Sequence, residues 1–312
     1  MTNKLLIPLL CALAACTPGT PPPEPLPGGA VFRSTGSSFA RGPLEVQQRD
    51  VREGEAGAPR ALRITAPVTS GTYPVVQFQH GFLLDHRAYD EVLSQLASHG
   101  FVVVAPQMYA ADGVPLGKQS VADEAKAAAR VAAWALPNAA TLVGSAADPR
   151  PIGVAGHSRG GKVTWWLALH EALPVRGLVG VDPVDGKGGP LLSAQPEALP
   201  GPTDDAPRSL IIGLELGGSC APEGDNFRHF FERTTAPTQL VIIKGHGHAD
   251  LLDPDADTGG LCVAGPERAA VRAMTGGLLA AFFRLHLQDD ATVQPELETP
   301  HVAPLEITDE SR

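Results

Sequence analysis

Apolar positions along the chain fall into short, nearly unbroken runs separated by longer stretches with helical spacing. The runs at Val75–Phe78, Phe101–Ala105, Ile152–Ala155 and Leu178–Val181 show little polar alternation, and two more follow at Ser209–Ile212 and Leu240–Ile243. Such runs suit strands covered on both faces, the condition of a parallel sheet. Earlier in the chain, Leu44–Val51 and Ala61–Ala66 alternate in strand fashion and predict antiparallel edge strands. Helical patterns lie between and after these runs, at Tyr89–His99, Val121–Leu136, Lys162–Ala172, Asn226–Glu232 and Glu267–Leu287. Strand and helix alternate throughout. The predicted class is therefore α/β, a mostly parallel central sheet with helices on both faces in a single domain over residues 30–287. Chemistry in such a sheet sits at the carboxyl ends of its strands.

One junction carries more than fold information. The strand Ile152–Ala155 runs into Gly156-His157-Ser158-Arg159-Gly160, and a helix-forming stretch follows at once. This is the G-x-S-x-G nucleophile elbow in the strand–turn–helix setting it requires, whereas the bare motif is often an ordinary glycine turn. Glycines two residues before and after the serine let strand and helix approach closely. Ser158 is the candidate nucleophile. The oxyanion it creates needs two donors, and the N–H of Arg159, next after the serine, is one candidate. FQHGF (Phe78–Phe82) has the histidine-glycine form of the second oxyanion loop, which points to the Phe82 N–H, with Leu83 its neighbour. His80 precedes the serine and reads as support for that loop.

A serine nucleophile also needs a base, and a carboxylate to orient it, in the chain order Ser, Asp or Glu, His. Asp182 in GVDPVDG ends the strand after the elbow helix; Asp185 comes second and Glu215 third. Among later histidines, His170 and His286 fall within helices, His229 on a short one and His301 in the tail. His246 and His248 share the loop KGHGHADLLD after the last core strand, and spacing does not separate them. Asp253, Asp255 and Asp257 with Gly259 resemble a calcium loop, but the glycine spacing is wrong and no glutamate closes it, so no metal is expected. Trp165 and Trp166 on the elbow helix read as core.

The ends add a compartment. Residues 1–15 have a basic start at Lys4 and an apolar run too short to span a bilayer, the pattern of an export signal. LAAC (13–16) looks like a bacterial lipobox, which would make Cys16 the lipidated first residue of an exported, membrane-anchored lipoprotein. The proline-rich stretch 16–29 reads as a tether, and the polar, acidic stretch 288–312 as a disordered tail. With Cys16 lipidated, Cys220 and Cys262 remain as an even pair in an oxidising setting, which predicts a disulfide. A net charge of −10 argues against a nucleic-acid partner.

GHSRGGK, GVDPVDG, CAPEG and GHGHADLLD, in that order, resemble the motifs of plant and bacterial chlorophyllases, as does SHGFVVVAPQMY (Ser98–Tyr109). The likeness runs from about Val75 to Asp253, more than half of the chain. It implies an α/β-hydrolase fold and a cofactor-free enzyme that cleaves a carboxylic ester, in chlorophyllases the phytyl ester of chlorophyll. The substrate would be a small hydrophobic ester. The family nucleophile falls on Ser158, its aspartate on Asp182 and its histidine on His248, since that histidine follows glycine and precedes aspartate by two positions. His246 then has no family counterpart. Cutinase-like polyesterases and platelet-activating-factor acetylhydrolases are wider kin; the polyesterases place the acid one strand later, where this chain has glycine. Alternative readings are a general lipase, carboxylesterase or polyesterase, and a non-catalytic lipoprotein that binds a lipid or pigment.

Overall fold

The computed structural model describes residues 31–108, 120–148, 152–186, 195–256 and 260–312. Its strands, in chain order, are β1 (Val46–Val51), β2 (Leu62–Pro67), β3 (Thr72–Tyr73), β4 (Val75–Gln79), β5 (Val102–Pro106), β6 (Ala146–Ala147), β7 (Ile152–His157), β8 (Val175–Val181), β9 (Ser209–Leu216), β10 (Thr238–Gly247) and β11 (Ile307–Ser311). The helices are α1 (Asp90–Ser98), α2 (Val121–Leu142), α3 (Arg159–His170), α4 (Phe227–Arg233), α5 (Arg268–Leu287) and α6 (Gln294–Glu298). Nine strands form one sheet in the order β1-β2-β5-β4-β7-β8-β9-β10-β11, and β3 pairs with β6 apart from it. From β5 to β10 all neighbours are parallel; β1, β2 and β11 join antiparallel.

Burial explains that arrangement. Every residue of β4, β5 and β7 is buried, so both sheet faces are covered there. One core layer joins the sheet to α2, α3 and α4 through residues such as Val131, Trp165 and Phe230. The other joins it to α1 and α5 through Leu93, Leu96, Leu278 and Phe283. Buried alanines let α2 come close enough for Gln77 Nε2 to donate to the Ala128 carbonyl at 3.1 Å.

Three expectations need correction. The 61–66 run is not an edge strand, because β2 lies between β1 and β5. The helix expected to end at Leu136 continues through Pro137 to Leu142. Burial of Ala139 and Ala140 against the sheet outweighs the hydrogen bond that a proline cannot donate. Finally, 288–312 is an ordered segment. Val293, Leu297 and Leu305 bury their side chains, and Asp290 pairs with buried Arg284 at 2.8 Å. β11 then caps the open edge of β10, with Gln239 opposite Ser311 and Ile243 opposite Ile307. A strand that pairs an edge through its backbone needs few apolar side chains, so its polar sequence looked disordered.

Candidate active site

The carboxyl ends of β4, β7, β8 and β10 meet in one place. β7 turns into α3 at Ser158, whose φ of 56° and ψ of −123° lie where non-glycine residues are rare. The turn is held on both sides: the Ser158 N–H donates to Val181 O at 3.1 Å, and its carbonyl accepts from Lys162 and Val184, each at 3.2 Å. Two glycines make it sterically possible. A Cβ on Gly156 would sit 2.4 Å from Gly160 C, and one on Gly160 would sit 2.2 Å from Gln79 O. The elbow helix therefore touches both its own strand and the end of β4.

Asp182 follows β8 directly and is fully buried, also with a positive φ, 40°. Its Oδ1 accepts the Leu214 N–H at 3.0 Å, and its Oδ2 lies 2.6 Å from His248 Nδ1. A neutral His248 with its proton on Nδ1 leaves Nε2 as an acceptor. His248 stands at the end of β10, after a bulge between Ile243 and Gly247. Asp250 shapes this loop: its Oδ2 accepts the N–H groups of Gly247 at 2.8 Å and Gly265 at 2.6 Å.

The FQHGF segment lies against the elbow. A Cβ placed on Gly81 would come 3.3 Å from Ser158 Cβ and 3.1 Å from His157 Nδ1. Next to it, Leu83 takes a φ of 61° and turns the chain outward. His80 is the loop's internal brace. Met108 N–H donates to its Nε2 at 3.0 Å, so the Nδ1 proton faces the Gly81 carbonyl at 2.8 Å. Burial pushes its pKa down to about 4, so it stays neutral. Arg159 pairs with buried Glu124 of α2 at 2.7 Å, and its guanidinium lies 5.8 Å from the Phe82 ring centre. Elbow, α2 and the Phe82 turn are thus tied together.

The rival candidates sit elsewhere. Asp185 places Oδ1 3.1 Å from Lys162 Nζ and Oδ2 3.0 Å from His229 Nε2, and the Ala198 and Leu199 amides donate to the same carboxylate. Burial alone would raise its pKa, but the His229 hydrogen bond, the Lys162 charge and those amides together hold it below the usual range. Glu215 pairs with Lys244 on the surface, and His246 Nδ1 faces the Lys244 carbonyl at 2.7 Å. His170 packs on Trp166 and His286 on Phe282, while His301 is exposed. Trp165 lies in the core, as expected, with Nε1 3.3 Å from Thr234 Oγ1. Asp253 accepts the Glu91 N–H at 3.2 Å and so caps the start of α1; Asp257 and Gly259 lie outside the described residues. Residues 1–30, with Cys16, also lie outside them, and no described helix is long and apolar enough to cross a membrane.

Sequence reasoning passed over several members of this cluster. Tyr89, His157, Glu124 and Lys162 sit in helices or beside the serine with no spacing that marks them. Asp250 alone had a signal, two positions after His248. The predicted Cys220–Cys262 disulfide is present, with the two Cα atoms 5.5 Å apart, and joins the loop after β9 to the segment after His248.

The chlorophyllase family model matches residues 34–311. The chain belongs to the chlorophyllase family. Chlorophyllase-2 of Arabidopsis thaliana is 33% identical over 256 residues, covering 74% of this chain and 79% of the relative. Chlorophyllase-1 of the same plant is 30% identical over 305 residues, 88% and 91% of the two chains. Chlorophyllase-1, chloroplastic, of Citrus unshiu is 32% identical over 269 residues, 80% and 79%. This chlorophyllase-family protein is a carboxylic-ester hydrolase, and its mostly parallel sheet with helices on both faces is the α/β-hydrolase architecture.

Proposed function

We propose that this protein hydrolyses a hydrophobic carboxylic ester through an acyl-enzyme on Ser158, and that the phytyl ester of chlorophyll or a close analogue is its substrate. The observation that carries the mechanism is the buried Asp182–His248 hydrogen bond of 2.6 Å, at the same end of the sheet as the positive-φ serine. His248 Nε2 takes the Ser158 proton as Oγ attacks the ester carbonyl, and the Phe82 and Arg159 N–H groups hold the oxyanion. The bond to the alcohol breaks as His248 returns that proton to the leaving oxygen. Water, deprotonated by the same imidazole, then releases the acid and the free serine. Asp182 keeps the His248 proton on Nδ1 throughout. The preference for a phytyl ester rests on the names of the relatives.

The test offers the purified protein esters from short p-nitrophenyl acyl chains to chlorophyll, with Ser158→Ala in parallel. Chlorophyllide released by wild type alone supports the phytyl-ester reading. Turnover of short esters only makes it a general carboxylesterase or polyesterase, and a folded protein inert to all of them favours the binding lipoprotein. Membrane attachment through Cys16 belongs to the same proposal, supported by the leader and the LAAC sequence. Cells fed labelled palmitate are expected to mark the wild-type chain and not Cys16→Ser; equal labelling of both would refute the anchor.

A further inference from the structure

A chain of hydrogen bonds passes behind the candidate nucleophile. The Gly81 N–H donates to Tyr89 Oη at 2.9 Å, and Tyr89 Oη lies 2.9 Å from His157 Nδ1. His157 Nε2 in turn lies 3.0 Å from the His248 carbonyl oxygen. Tyr89 and His157 are almost wholly buried, so these groups have no solvent alternative.

The polarity of the chain is fixed by its ends. A carbonyl only accepts, so His157 carries its proton on Nε2. Nδ1 of the neutral ring must then accept, and Tyr89 gives it the hydroxyl proton while receiving the Gly81 N–H. Protonating His157 would set an N–H against the tyrosine hydroxyl and orphan the tyrosine proton. Burial, and next the charge of nearby His248, hold the His157 pKa well below its ordinary value. The ionisable groups facing it are His248, whose ring centre is 4.5 Å away, Tyr89 and His80.

We infer that Tyr89 and His157 are positioning residues for the reaction, fixing the Gly81–Phe82 turn and the His248 loop in register across Ser158. The inference rests on the Ser158–His248–Asp182 reading. Gly81 immediately precedes the proposed oxyanion donor, and the His248 carbonyl belongs to the proposed base, so one relay spans both halves of the machinery. A neutral His157 also places no like charge beside the imidazolium that forms on His248 when Ser158 is deprotonated. Packing alone would not require the hydroxyl: the Tyr89 ring meets Phe78 at 4.9 Å, and a phenylalanine would keep that contact.

Tyr89→Phe, His157→Gln and His157→Leu test this, with the Ser158→Ala protein as blank. Two rates are followed, turnover of a p-nitrophenyl ester and labelling of Ser158 by a fluorophosphonate, each normalised to folded protein by circular dichroism. Tyr89→Phe is expected to slow both by about 10- to 100-fold, a typical cost of small misplacement, with KM little changed. Burial keeps His157 neutral with or without the tyrosine hydroxyl, so the second readout is the order of the His157 variants, which a merely structural role would not set. His157→Gln, whose amide N–H can reach the His248 carbonyl, should outpace His157→Leu. If wild type is labelled at Ser158 and Tyr89→Phe keeps pace in both rates, the relay is refuted while the catalytic reading stands. If wild type itself is not labelled at Ser158, the catalytic reading falls and the relay with it.

Discussion

Asp182→Asn is expected to lower kcat by roughly three to four orders of magnitude, whereas Asp185→Asn is expected to cost stability and spare kcat. The two aspartates lie three residues apart in GVDPVDG, and only geometry separates them. Asp182 Oδ1 accepts the Leu214 amide at 3.0 Å while Oδ2 faces His248 Nδ1 at 2.6 Å. An asparagine there would keep its oxygen on the Leu214 donor and turn its NH2 toward His248. That amide donates, so the imidazole would have to accept through Nδ1 and move its proton to Nε2, the nitrogen that must receive the serine proton. Ser158→Ala should lose at least as much. Asp185 is different because both its oxygens are already used by Lys162, His229, Ala198 and Leu199. Neutralising it takes from the Lys162 ammonium, which is 1% exposed, the carboxylate it pairs with directly at 3.1 Å. Breaking a buried pair from one side costs about 3–5 kcal/mol. Steady-state kinetics on folded protein, alongside urea unfolding, separates the two outcomes. Wild-type kcat in Asp182→Asn would remove Asp182 from the mechanism.

How far these roles are legible in the sequence depends on whether the chemistry is local. The elbow is: strand, glycine, serine, glycine and helix are contiguous, and the steric reasons for Gly156 and Gly160 act within a few residues of the serine. The parallel core is legible because strands buried on both faces leave continuous apolar runs. Spacing alone lists Asp182 and His248 without joining them, since 66 residues separate them; the resemblance to chlorophyllases pairs them, and the parallel sheet brings the carboxyl ends of β8 and β10 together. Tyr89, which marks no motif, sits at the start of α1, and His157 looks like any residue beside a serine. Their roles exist only in the folded contact. The 288–312 segment misled for the opposite reason. Its composition is that of a solvated tail, yet backbone pairing with β10 and the Arg284–Asp290 ion pair hold it without a large apolar face.

Reducing or removing the Cys220–Cys262 disulfide is expected to destabilise the fold by about 4 kcal/mol, on the chain-entropy account of a closed loop this long. The sequence separation is 42 residues, and the loop so closed contains α4, β10 and His248. For a domain of this size the loss corresponds to a fall in Tm of roughly 7 °C. A second effect should be local. The segment after Cys262 packs directly on the residue before the candidate base: a Cβ on Gly247 would lie 1.8 Å from the Val263 carbonyl oxygen. Two residues on, the Gly265 N–H shares the Asp250 carboxylate with Gly247. Releasing Cys262 therefore loosens the layer that presses the His248 loop onto Asp182. Activity should fall at temperatures where the protein is still folded, and the drop should appear in kcat more than in KM. Both cysteines are partly buried beside Leu261 at 75% exposure, so the double variant serves as the control for incomplete reduction. Parallel thermal melts and ester assays of wild type, reduced wild type and the Cys220→Ala/Cys262→Ala double variant measure both effects. A lower Tm with full activity below the transition would confine the disulfide to global stability. An unchanged Tm would mean that the hydrogen bonds around Asp250 hold these loops without it.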